Sequence, residues 1–163
     1  MSYKNLLSFH NIGNTCYLNS ALQALLSYDE FRECINIENK QKNEGVLSVP
    51  FLSILNEISQ KRDNKDTPIS NPILLKQMLS DNHYFFKGND QQDCHECIVT
   101  ILDIIHENTK SKDPDYLEIL MVNNRILKKI SGLTKEANKQ WKDVMDTSGL
   151  SFTSYLFSGQ LRS

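Results

Sequence analysis

No apolar run in this 163-residue chain approaches the length of a membrane-spanning helix, which needs about 20 residues. The segment after Met1, Ser2-Tyr3-Lys4-Asn5, lacks the apolar centre of a secretory signal. Basic residues are not in excess: 18 Lys and Arg face 20 Asp and Glu, and the net charge is -2. That balance gives no pull towards nucleic acid. Cysteine is sparse, with Cys16, Cys34, Cys94 and Cys97 as the whole set. A disulfide framework is therefore not expected, and reduced thiols in an intracellular setting (cytoplasm or nucleus) are. There is no internal repeat, and no low-complexity tract beyond the charged stretch Lys61-Arg62-Asp63-Asn64-Lys65-Asp66. What is present is 39% apolar residues, below the usual globular share but far from a disordered composition. One domain with a core, or part of a larger one, fits that length.

The apolar spacing is mostly helical. Leu18, Ala21, Leu22 and Leu25 recur on one face, with Asn14 and Thr15 as plausible caps. A short segment over Phe31 to Ile35 follows, and the polar residues 36–45 read as a loop. Phe51, Ile54, Leu55 and Ile58 predict a second helix, ended by the charged stretch. Pro72 after Asn71 starts another, carrying Leu75, Met78 and Leu79, since proline suits the first helical position. Gly88-Asn89-Asp90 opens the most regular helix, running to about Asn108. Asp113-Pro114 and Thr134 start two more, the first with Leu117, Leu120, Met121 and Leu127, the second with Ala137, Trp141 and Val144. Residues Leu150 to Leu161 mix aromatics with Ser and Gly and read as the entry to a strand.

Gly13-Asn14-Thr15-Cys16-Tyr17 puts a thiol in the first turn of an amphipathic helix. Unpaired backbone N–H groups and the positive end of the helix dipole favour an anion there. An ordinary cysteine is only a few per cent thiolate at neutral pH, so such a position raises the supply of nucleophile. Gly13 permits a tight turn or a close approach of substrate. Asn11, five residues earlier, can aim an amide N–H at an oxyanion, worth about 3 kcal/mol in a transition state. Spacing alone also allows a structural cysteine at a helix end.

The stretch Asn11-Ile12-Gly13-Asn14-Thr15-Cys16-Tyr17-Leu18-Asn19-Ser20-Ala21-Leu22-Gln23-Ala24-Leu25 resembles the cysteine box of the ubiquitin-specific proteases almost position for position. The resemblance implies that Cys16 is the nucleophile and that Asn11 helps to form the oxyanion hole.

From Asp90 to Glu107 the predicted helix turns about 100° per residue. Cys94, Ile98, Ile101, Leu102 and Ile105 then share an apolar side, opposite Asp93, Glu96, Asp103 and Glu107. Such an acidic face is ordinarily a solvated one, and for Asp103 and Glu107 that reading stands. The segment is also similar to the second box of the same family, where a Gln-Gln-Asp triplet precedes a Glu and an apolar helix. The likeness implies that Gln92, Asp93 and Glu96 hold the basic C-terminal tail of ubiquitin. Carboxylates suit that task through charge-assisted, often bidentate hydrogen bonds to arginine. Cys97 stands where the family commonly has a larger apolar residue. The Cys94-x-x-Cys97 pair supplies two ligands where a structural zinc takes four, so no metal and no cofactor is expected.

Trp141 and the run from Ser151 to Ser163 resemble the family segment that leads into the fingers subdomain. The fold implied is the thumb of a papain-like cysteine protease, mainly α, with short strands near the C-terminus. The fingers and the palm, which carries the family's catalytic histidine, are expected to be absent from residues 1–163, and the finish at Ser163 is read as truncation. None of His10, His83, His95 and His106 has the sequence context of a histidine box. The expected function is therefore a cysteine-type deubiquitinase, a hydrolase of ubiquitin isopeptide and peptide bonds, weak or inactive alone. Its partners would be ubiquitin or a ubiquitin-like modifier, with missing catalytic residues supplied by a C-terminal half or a partner chain. The alternatives are a non-catalytic module that binds the ubiquitin tail and an unrelated helical interaction domain. Without a palm, the face of the Cys16 helix is expected to expose apolar surface.

Overall fold

The computed structural model describes residues 8–43, 50–63, 72–111, 149 and 151–157. They form α1 (Cys16–Ser27), α2 (Asp29–Asn43), α3 (Pro50–Asp63), α4 (Ile73–Asn82), a 3-10 turn (Tyr84–Phe86), α5 (Cys94–Thr109) and α6 (Phe152–Phe157). The chain is mainly α, as its spacing predicts. It divides into two compact units, Met1–Ile104 and Ile105–Ser163.

In the first unit α1, α2, α3 and α4 pack successively, and the 3-10 turn lies against α4. The α1 stripe of Leu18, Leu22, Leu25 and Leu26 is buried together with Tyr17 and Ala21. Burial of each large side chain is worth roughly 1.5–3 kcal/mol. Phe31, Cys34 and Ile35 of α2, Phe51, Leu52, Leu55 and Ile58 of α3, and Leu75 and Leu79 of α4 complete that core with Phe86. The Ser53 hydroxyl donates to Asn39 Oδ1 at 2.9 Å, joining α3 to α2.

The expected loop over residues 36–45 is helical as far as Asn43. Phe31, Cys34, Ile35 and Glu38 are buried at spacing i, i+3, i+4, i+7, so one narrow face anchors a helix whose other positions, Ile37 apart, are polar. Pro72 takes the cap position of α4, one residue before its expected place. The expected apolar exposure on the Cys16 helix is absent, because all the large apolar side chains of α1 are buried. The exposed ones lie elsewhere, notably Ile73, Leu74, Tyr84 and Phe85.

The helix expected from Gly88 begins at Cys94, and residues 88–93 have no helical structure. Its buried face is also rotated from the expected one. Cys97, Ile101, Ile104 and Ile105 are buried, whereas Cys94, Ile98 and Leu102 are only partly covered.

In the second unit Ser151 caps α6. Its hydroxyl oxygen accepts from the Ser154 N–H at 3.2 Å, and the Ser154 hydroxyl oxygen accepts from the Ser151 N–H at 3.0 Å. His106 Nδ1 lies 2.8 Å from Ser151 Oγ, so this histidine is engaged rather than a free surface residue. The strand entry expected at the C-terminal end is corrected over Phe152–Phe157, which is helical. The reciprocal serine cap and the burial of Phe152 favour that local choice. The helices expected from Asp113-Pro114 and Thr134, with Trp141, and the remainder of the strand reading lie outside the described residues.

Candidate active site

The cysteine-bearing loop is built around one side-chain amide. Asn11 Oδ1 accepts from the Gly13 N–H at 3.2 Å, the Thr15 N–H at 3.3 Å and the Thr15 hydroxyl at 3.2 Å. The Thr15 hydroxyl oxygen in turn accepts from the Ile12 N–H at 3.2 Å. Thr15 is the N-cap residue of α1, yet its side chain makes no cap hydrogen bond and serves this loop instead. All three partners of Oδ1 are donors, so the orientation of the Asn11 amide is fixed. Its Nδ2 group makes no hydrogen bond among the described residues and is left available.

Gly13 and Asn14 carry φ values of 101° and 47° in succession. Glycine enters that region freely and asparagine better than most residues. A Cβ on Gly13 would stand 3.7 Å from Cγ of Asn89, so the loop lies close against the segment before α5. Asn14 Nδ2 donates to the Asn89 carbonyl oxygen at 2.8 Å, across 75 residues of sequence. Cys16 then opens α1 with its side chain exposed. The next residue, Tyr17, is buried and stacks on Phe86, with ring centroids 5.8 Å apart and planes inclined by 22°.

These contacts place the start of α5 beside the start of α1. Asp93 Oδ1 accepts from the His95 N–H at 2.7 Å and the Glu96 N–H at 3.0 Å, which caps α5. Asp93 and Glu96 are exposed, and Gln92 is half-buried just ahead of them. Among the described residues neither carboxylate is in an ion pair, so both can receive an external cation.

Burial sets the electrostatics of the other groups here. It pushes the Tyr17 phenol up to about 12, with Cys97 and Cys16 adding to the effect. It likewise holds the Cys97 thiol at about 12 and raises Cys94, to which the charges of Asp93 and Cys16 contribute. The influence of Cys16 on both Tyr17 and Cys94 marks the three as neighbours. Cys94 and Cys97 are free thiols, and among the described residues no cluster of His, Cys, Asp and Glu could hold a metal ion.

The structure thus sets the loop with Asn11 and Cys16 against Asn89, in the segment that runs through Gln92 and Asp93 into α5 with Glu96 in its first turn. The two stretches that the sequence singles out therefore meet through Asn14 and Asn89. It also adds residues that spacing did not flag. Lys76 Nζ donates to the carbonyl oxygens of Phe86 and, at 2.9 Å, of Gly88, and Ser80 Oγ donates to Phe86 O at 2.6 Å. Asn89 carries the link to Asn14. The sequence singles out this segment only as Gly88-Asn89-Asp90, which reads as a helix opening rather than as a contact.

The family model described as ubiquitin carboxyl-terminal hydrolase matches residues 7–163, nearly the whole chain. The chain belongs to the ubiquitin carboxyl-terminal hydrolase family. It is 28% identical over 170 residues to a protein named ubiquitin carboxyl-terminal hydrolase 4 of Saccharomyces cerevisiae, a match that covers 96% of this chain and 18% of the relative. The protein of that name from Vanderwaltozyma polyspora is 30% identical over 173 residues, covering 96% of this chain and 19% of the relative. The one from Rattus norvegicus is 32% identical over 125 residues, covering 71% and 13%. The chain thus spans less than a fifth of the length of these curated relatives. Family membership upholds the likeness read from the cysteine box. Among the described residues no helix is long and apolar enough to cross a membrane.

Proposed function

We propose that this chain carries the nucleophile-bearing, thumb portion of a cysteine-dependent deubiquitinase acting on ubiquitin or a ubiquitin-like modifier in a reducing, intracellular compartment. The observation that supports it best is the pairing of an exposed Cys16 at a helix start with an Asn11 amide whose nitrogen is uncommitted. In this reading the Cys16 thiolate attacks the carbonyl carbon at the C-terminus of ubiquitin. The developing oxyanion accepts an N–H from Asn11, worth about 3 kcal/mol. Asp93 and Glu96, exposed and without an ion pair among the described residues, hold the basic residues of the incoming tail, with Gln92 just ahead of them. The amine leaves only when protonated, and that step calls for an imidazole. His10, His83 and His95 are exposed and His106 is bonded to Ser151, so turnover of amides by these residues alone is expected to be poor.

The test is covalent labelling by ubiquitin carrying a C-terminal thiol-reactive group, with Cys16→Ala as control. Labelling that disappears in Cys16→Ala, and weakens in Asp93→Ala, is the expected result. No labelling by a folded chain removes the catalytic reading. Ubiquitin binding that still depends on Asp93 would then leave a non-catalytic tail-binding module, a reading that rests on the exposed Asp93 and Glu96 alone.

A further inference from the structure

Lys76 sits on α4, outside both stretches that carry the proposed chemistry, yet its ammonium is drawn inward. It donates to Phe86 O and Gly88 O and lies 3.4 Å from Ser80 Oγ, while the single hydroxyl proton of Ser80 is shared between Phe86 O at 2.6 Å and Lys76 O at 2.8 Å. Two side chains one helical turn apart thereby hold carbonyls of the turn over residues 86–89, which follows the backbone hydrogen bonds from the Phe86 N–H to His83 O and from the Lys87 N–H to Tyr84 O. The residue immediately after Gly88 is Asn89, whose carbonyl takes the Asn14 amide at 2.8 Å. Asn89 also bounds the space above Gly13. On the other side of that contact lie the Gly13 and Thr15 N–H groups bonded to Asn11, and then Cys16.

We propose that Lys76 is a positioning residue for the Cys16 site, acting through the 86–89 turn and the Asn89–Asn14 hydrogen bond to hold the loop that aims Asn11 and Cys16. The claim rests on the reading of Cys16 as nucleophile for its effect on rate, but not for its effect on the loop. An ammonium is a suitable clamp because its three donors radiate from one point and can reach separate carbonyls. Burial lowers the affinity of Lys76 for its proton, the mark of an ammonium drawn partly out of water towards these carbonyls. The loop it braces holds two consecutive residues at positive φ, a conformation that persists only when its surroundings fix it.

The experiment compares Lys76→Met, Asn14→Asp and the double variant in the full 163-residue chain. Asn14→Asp keeps a residue tolerant of positive φ and removes the donor to Asn89. Two readouts are taken: the labelling rate at saturating ubiquitin probe, and hydrogen exchange at the Gly13 and Thr15 amides. Each single variant is expected to slow saturating labelling by roughly ten- to a hundred-fold, the usual cost of a misplaced reacting group, with half-saturation unchanged. The double variant should lose no more than the worse single one, because both break the same chain of contacts. Exchange at Gly13 and Thr15 should accelerate in all three, and Lys76→Arg should restore most of both signals. Wild-type labelling in a folded Lys76→Met, losses that multiply in the double variant, or unchanged exchange would each overturn the proposal. If Lys76→Met does not fold, Ser80→Ala takes its place, with severalfold slower labelling and faster exchange expected and no change overturning the claim. If the probe labels not even the wild type, the deubiquitinase reading fails, and the exchange data decide the positioning claim by themselves.

Discussion

The four thiols occupy different surroundings, and those surroundings order their chemistry. Cys16 is exposed at a helix start, Cys94 is partly covered, and Cys34 and Cys97 are buried. Burial and the nearby Glu33, Glu38 and Glu30 push the Cys34 thiol up to about 12, and burial takes Cys97 to about 12 as well. An aromatic disulfide reagent at pH 8 should therefore react rapidly with one thiol per native chain, and Cys16→Ala should abolish that phase. A second rapid equivalent would mean that partial cover does not slow Cys94, and a third would contradict the burial of Cys34 and Cys97. The same shifts give a stability signature. A thiol whose folded-state value lies above its ordinary 9.0 stabilises the fold fully below pH 9. That contribution is lost as pH climbs from 9 towards 12, because the unfolded chain releases the proton first. Unfolding free energies from denaturant titrations should fall across that window, by on the order of 4 kcal/mol for each buried thiol at its end. Cys34→Ala should start less stable at neutral pH and lose less between pH 9 and 12, and an identical alkaline slope would refute the assignment.

At the scale of single helices, α5 is where capping and function meet. Asp93 caps the helix with one carboxylate oxygen, and its charge is also what the proposed tail contact uses. Asp93→Asn and Asp93→Ala separate the two. Asparagine caps about as well as aspartate, so Asp93→Asn should stay within a few tenths of a kcal/mol of wild type. Asp93→Ala should cost about 1 kcal/mol by thermal melting. Both should raise the ubiquitin-probe concentration needed for half-saturation, since both remove the charge. Equal stabilities for the two variants would mean the cap contributes nothing. Helices with a wide apolar stripe, such as α1, were legible from the sequence because burial and spacing agree. The extent of α2 was not, since a four-residue buried face hides among polar neighbours. The start of α5 was misplaced because Gly88 to Asp90 resemble a helix opening, whereas Asn89 is committed to Asn14. Within Phe152–Phe157, aromatic content pointed to a strand, and the Ser151–Ser154 cap decided for a helix. The candidate site was legible wherever its residues are contiguous, as in residues 11–16 and 92–96. The clamp from Lys76 was not, because it depends on carbonyl groups that no sequence pattern displays.

For the chain as a whole, the decisive question is which half of the reaction its residues can perform. In the proposed reaction, attack by Cys16 needs a thiolate and an oxyanion donor, and the loop over residues 11–16 carries both candidate residues, Cys16 and Asn11. Expulsion of an amine needs a proton donor, and hydrolysis of the acyl-enzyme needs a base to activate water. None of the four histidines is bonded to Cys16 among the described residues. A thioester at the ubiquitin C-terminus removes the first demand, because a thiolate leaves without being protonated. Mixed with such a substrate, the chain should release about one equivalent of small thiol per active chain in a burst, as the acyl group passes from the substrate sulfur to Cys16. A much slower phase should follow, limited by water attack on the ubiquitin–Cys16 thioester. The matching ubiquitin amide should give no burst and should turn over at least about 100-fold more slowly, the lower range of what a positioned acid–base group supplies. Cys16→Ala should abolish the burst. Amide and thioester cleaved at comparable rates would mean that a proton donor within these 163 residues does reach the leaving group. His10, His83 and His95 would then be the first positions to replace, since each is exposed, whereas His106 is engaged by Ser151.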